Sequence, residues 1–129
     1  FGQFMTVLGG SLNQLLLPVA TAALFWYYRD YFGIGVAGMW LGSSLLDLAR
    51  YVADARVQEL DLVGFGDDPQ HDWTFLLGQM HALQYDTRIA AVLRGLALLA
   101  LLASIGFSVW VLLQMAIRRG EAVAPVIKP

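Results

Sequence analysis

A chain of 129 residues that is 58% hydrophobic and only 14% charged, with a mean hydropathy of +0.61, is not composed like a soluble domain, in which about a quarter of residues carry charge. A net charge of −2 gives no footing for nucleic-acid binding, and the absence of cysteine removes disulfides, thiolate metal sites and cysteine nucleophiles together. The composition predicts an all-α integral membrane bundle: three transmembrane helices and a short amphipathic helix in the outer loop, one domain over residues 1–119, and a flexible tail over 120–129.

The apolar residues lie in blocks close to the length that about 30 Å of hydrocarbon demands. The first predicted span covers about residues 11–28 through "LLLPVATAALFWYY" and ends in Phe25, Trp26, Tyr27 and Tyr28, an aromatic cluster suited to headgroup level. Pro18 is expected to kink it. Asn13 and Gln14, at its head, are expected to face protein and not lipid. Phe1 is not preceded by a basic region and an apolar core, so no signal peptide is read there, and a further piece of a parent chain is expected upstream.

The second predicted span covers about residues 34–52. It carries Gly35, Gly38 and Gly42, the last two in "GMWLG", and small residues at this spacing let two helix backbones approach closely. Near its end, Asp47, Arg50 and Asp54 recur at i, i+3 and i+7 and form one charged stripe. A central Asp or Arg in a span costs about 2.5–3.5 kcal/mol on insertion scales, so the stripe is expected to face protein. Arg94, one turn into the third span, enters from the same side. Asp47, Arg50, Asp54 and Arg94 are therefore expected to form a structural ion-pair cluster, with an arginine nitrogen about 2.7–3.2 Å from the Asp47 carboxylate. A proton path or catalytic carboxylate is the competing assignment, and the balance of charges favours mutual neutralisation. Because the glycine face lies roughly opposite Asp47, the second helix is expected to have partners on two sides.

Between the second and third spans, "DDPQHDWTFLLGQMHALQYD" has Asp68 before Pro69, an N-cap followed by proline at the first helical position. The spacing predicts an amphipathic helix over 69–85 whose face of Trp73, Leu76, Leu77, Met80 and Gln84 docks on the span ends or the membrane interface. Gly64 and Gly66 mark a turn before it. His71 and His81 are the only histidines; both lie in this loop, and their spacing does not place them on one helix face. No haem or pigment ligand is expected from them. His71 beside Asp67, Asp68 and Asp72 reads as a solvated acidic helix cap. No catalytic residues, metal site or cofactor are expected. The third predicted span covers about residues 89–115; its 27 residues reach about 40 Å, so it must tilt or project.

Arg118 and Arg119 follow the third span, whereas the 54–88 loop sets Asp54, Glu59, Asp61, Asp67, Asp68, Asp72 and Asp86 against Arg56 and Arg88. The positive-inside rule then puts the Arg118 end in the cytoplasm and the 54–88 loop outside, with residence in a bacterial inner membrane expected.

Three segments in order, "FGQFMTVLGGSLNQLLLP", "MWLGSSLLDLARYVADAR" and "HDWTFLLGQM", resemble an uncharacterised family of bacterial polytopic membrane proteins that is similar to membrane-embedded zinc metallopeptidases. The resemblance covers Phe1 to about Arg94 and implies an HExGH motif just upstream of the segment matching Phe1 to Gly10. The chain itself contains no HExxH, and so has neither the zinc ligands nor the general base that hydrolysis needs. If the family's metal site extended downstream, the resemblance would make Asp47 or Asp54 its carboxylate, and Asn13 or Gln14 its substrate-orienting groups. The expected function is a non-catalytic accessory or scaffold subunit of a larger membrane complex, such as a photosynthetic or respiratory assembly, whose partners are the lipid bilayer and other membrane subunits. The alternative is the body of a membrane metallopeptidase-like protein.

Overall fold

A computed structural model describes residues 2–57 and 72–123, all of whose regular structure is helical. Helix α1 spans Gly2–Tyr27, α2 Tyr31–Ala53, α3 Asp72–Gln79 and α4 Asp86–Val123, with a 3-10 turn at Leu83–Tyr85 before α4. Two of these helices are long and apolar enough to cross a membrane: α2, with mean hydropathy 1.4, and the helical stretch Leu83–Gly120, with mean hydropathy 2.5.

The first helix begins well before position 11 and runs on through Pro18, which is fully buried. Its end is sharply made. Arg29 takes a left-handed φ of 59°, the Asp30 amide donates to the Phe25 carbonyl at 2.9 Å, and the Arg29 amide donates to the Trp26 carbonyl at 3.1 Å. This reciprocal pair closes the last turn of α1 with an arginine in the position glycine usually fills. Asp30 then caps the next helix, its Oδ1 accepting from the Gly33 amide at 2.9 Å. The turn is so tight that a Cβ at Gly33 would lie 2.7 Å from the Phe25 ring.

Helices α2 and α4 run antiparallel, and their contact is built on small residues. Gly35 faces Ser108, Gly38 faces Ser104, and Gly42 faces Leu101 and Ala97. A Cβ at position 42 would sit 2.6 Å from Leu101 Cγ and 3.2 Å from the Ala97 carbonyl oxygen, so glycine is required by the backbone approach. A different face of α2 packs on α1, where the Gln14 amide nitrogen donates to the Ser44 carbonyl at 3.5 Å. Helix α2 is therefore the central helix, with neighbours on two sides.

Three expected boundaries are corrected. The third apolar segment is one helix of 38 residues, about 57 Å long, that extends beyond 89–115 at both ends and carries the expected tail residues 120–123 in helical form. The loop helix does not reach position 85. His81 takes φ 53°, the Ala82 amide donates to the Leu77 carbonyl at 2.8 Å and the His81 amide to the Gly78 carbonyl at 3.1 Å, the same closing pair that ends α1. Helical spacing stops at Gln79, so Met80 leaves the docked face and is 65% exposed, while Gln84 is exposed on the 3-10 turn. Positions 64–71, with the expected Asp68 cap and His71, lie outside the described residues.

Replacing Gly42 by valine is expected to destabilise the α2–α4 pair by about 1–3 kcal/mol through overpacking against backbone. Gly95→Ala, where a Cβ meets nothing within 4 Å, should be neutral or stabilise by up to about 1 kcal/mol. Unfolding in detergent micelles, followed by circular dichroism, measures both; equal losses would show that the glycine seam is not where the helices meet.

Candidate functional site

The polar chemistry of the described residues concentrates at the end of the bundle where α2 finishes and α4 begins. Beneath it lies a cluster of Leu48, Val52, Ala55, Leu77 and Ala90, all buried, with Leu15, Trp73, Leu83, Ile89 and Leu93 packed around them. Helix α3 is seated on this cluster by Leu76 and Leu77, which are 2% and 3% exposed, and by the half-buried Trp73. Thr74 Oγ1 donates to the Ala55 carbonyl, holding α3 to the turn that leaves α2. That carbonyl lies just past the last helical turn, where backbone acceptors have no intrahelical donor.

The next residue along the same turn completes the clamp. Arg56 Nε donates to Asp86 Oδ2 at 2.5 Å, with the Asp86 side chain 1% exposed and that of Arg56 49% exposed. Asp86 opens α4, and its other oxygen accepts from the Thr87 amide at 2.5 Å. A carboxylate at a helix N-terminus is favoured by the unpaired amides and the helix dipole there. The carboxylate in turn raises the Arg56 pKa further above its ordinary value, chiefly through their shared hydrogen bond. Turn, loop helix and α4 are thus tied together at one place.

Of the four residues of the expected charged cluster, the structure brings Asp47 and Arg50 near each other and does not pair Arg94 with Asp47. Arg50 Nη1 lies 3.7 Å from Asp47 Oδ1, beyond hydrogen-bonding reach, with the two side chains 72% and 55% exposed. The α2–α4 register, with Gly42 beside Ala97 and Arg56 beside Asp86, puts Arg94 at about the depth of Asp47. Depth alone does not pair them: Asp47 projects from the face of α2 turned away from the glycine seam, and Arg94 is exposed on α4. Asp54 caps α2, its amide donating to the Arg50 carbonyl at 3.1 Å. Of the polar pair on α1, Gln14 reaches Ser44 and Asn13 is exposed.

Among the described residues no group of three His, Cys, Asp or Glu side chains is placed to hold a metal ion. Asp47, which the metallopeptidase resemblance would recruit, stands beside an arginine on an open helix face. His81 sits exposed at the left-handed turn after α3. The clamp residues Arg56, Thr74 and Asp86 were not singled out by motif; the signal for Asp86 is an acidic residue at the start of a long apolar run.

Arg56→Ala should therefore lower the unfolding midpoint, because it strips the partner from a fully buried carboxylate, and by less than a buried pair would, because half of the lost guanidinium was already solvated. A double-mutant cycle with Asp86→Ala should return a favourable coupling, the two single losses not adding in the double variant. A comparable coupling between Asp47 and Arg50 in the isolated chain would contradict the exposure of that pair.

Protein-family models, curated proteins and solved structures contain no match to this chain, so its functional assignment rests on its own residues.

Proposed function

We propose that this chain is a non-catalytic, membrane-embedded scaffold or accessory subunit. The observation that carries the proposal is the combination of two membrane-length apolar helices with a long run of exposed apolar side chains on α4. On α4, Leu96, Leu98, Leu99, Leu102, Ile105, Leu112, Leu113 and Ile117 are all about half exposed or more. A water-soluble monomer does not display contiguous apolar area on that scale. At the loop end Arg56 and Asp86 satisfy each other and Thr74 donates to the Ala55 carbonyl, so these side chains join the turn, α3 and α4, as structural groups do.

In this proposal α1 is the third span, since it lies antiparallel to α2 across a short turn and ends in Trp26, Tyr27 and Tyr28, all exposed, with Tyr31, Phe32 and Trp110 exposed at the same level. The Arg118–Arg119 end lies in the cytoplasm and the 54–88 loop outside a bacterial inner membrane.

Two measurements test it. The protein should stay in the membrane fraction through alkaline carbonate washing; release into the supernatant would sink the membrane assignment. Cysteines placed at Asp67 and Glu121 should then differ in labelling by an impermeant maleimide on intact cells, with position 67 labelled and position 121 protected. Equal labelling from outside would overturn the topology.

A further inference from the structure

The third face of α2 carries more order than a lipid-facing surface needs. At about 100° per residue, positions 36, 40, 43, 47 and 50 share one side of α2, at alternating spacings of four and three. Such spacing makes a continuous seam against another helix. Its residues are Val36, Trp40, Ser43, Asp47 and Arg50, and all are exposed. The same alternation in Gly35, Gly38 and Gly42 makes the seam with α4.

Its charges select the occupant. Asp47 lies about 9 Å along the helix from Ala53 and Arg50 about one turn nearer that end, so the acid is the deeper of the two. Ser43, one turn below Asp47, folds its hydroxyl back onto the Met39 carbonyl at 3.1 Å and leaves a small, self-satisfied site where another backbone can come close. A zwitterionic lipid headgroup has the wrong polarity, since its phosphate is the deeper group and would meet Asp47. On this face Arg50 lies about one turn from Asp47 below it and from the cap residue Asp54 above it, and a base beside an acid is complementary to a second copy of itself: around a two-fold axis along the membrane normal, Asp47 of each copy can reach Arg50 of the other.

We propose that this face of α2 binds a second copy of the same chain, forming a parallel two-fold dimer closed by two reciprocal Asp47–Arg50 ion pairs between protomers, with Val36, Trp40 and Ser43 packed below them. The loose 3.7 Å contact within one chain is then exchanged for pairs removed from lipid. The proposal rests on the membrane-embedded assignment made above.

Full-length protein in lipid nanodiscs, assayed by mass photometry and by subunit exchange between two tagged preparations, is expected to be dimeric. Asp47→Arg and Arg50→Asp, prepared separately, should each weaken self-association by about a hundredfold or more, because each places like charges in the seam. Mixed together, the two variants should recover a heterodimer, and the double variant Asp47→Arg/Arg50→Asp should dimerise by itself. That recovery shows that loss in the single variants is not misfolding. A monomeric wild type, single variants that remain dimeric, variants that fail to recombine, or a wild type found only with a different protein on this face would each overturn the dimer. Carbonate washing of the wild type separates the two failures: a monomer that stays in the membrane removes the dimer alone, whereas release removes the assignment beneath it.

Discussion

The close approach of α2 and α4 constrains everything else in this chain. Helices surrounded by lipid gain little from hiding apolar side chains, because the lipid tails are as apolar as leucine, and association depends on packing contact between surfaces. Gly35, Gly38 and Gly42 supply that contact by presenting bare backbone to Ser108, Ser104 and Leu101. Because each glycine admits one opposing residue at close range, the seam also sets the register. A shift of one helical turn would drive Leu101 or a backbone carbonyl into a different residue and separate Arg56 from Asp86.

The register makes the polar end of the bundle possible. Arg56 lies beyond the end of α2 and Asp86 at the start of α4, so the two meet only when the helices are aligned as the glycines align them. Helix α3 is held there by different means. Leu76, Leu77 and Trp73 cover the Leu48, Val52 and Ala55 cluster, and Thr74 adds one directional bond to the Ala55 carbonyl. Apolar burial of that kind has its full driving force where water competes, which in the membrane-embedded arrangement proposed above is the loop end of the bundle and not its middle. In that arrangement, division of labour between small-residue packing along the helices and hydrophobic capping at their end follows from the change of solvent.

The charges divide by face and not by depth. Asp86 is turned into the bundle and matched by Arg56; Asp47 and Arg50 are turned out of it and are matched only loosely. Asp47 and Arg94 share a level and are still kept apart, because α2 itself stands between them. An ion pair needs both a common depth and facing sides, and helical periodicity supplies the first more readily than the second. The outward stripe is therefore a property of α2 alone, set by its own helical period and by the two faces that α1 and α4 already occupy.

Much of the architecture was legible in the residues. The helical class, the apolar stretches at 34–52 and 89–115, the close packing at Gly35, Gly38 and Gly42, and the docked face of Trp73, Leu76 and Leu77 each follow from local composition or spacing. Spacing within one segment is set by the 3.6-residue period and needs no knowledge of the rest of the chain. What the tertiary structure alone decided is which segment each face meets and where regular structure stops. His81 and Arg29 end helices in a left-handed conformation that neither residue type advertises, because the cost is offset by the closing hydrogen bonds and by packing beyond them. The Arg56–Asp86 pair, thirty positions apart in sequence, is invisible until the antiparallel register is known. The exposure of Asp47 and Arg50 came from the same source: one helix specifies that they share a stripe, but only the positions of α1 and α4 around it determine that the stripe points outward.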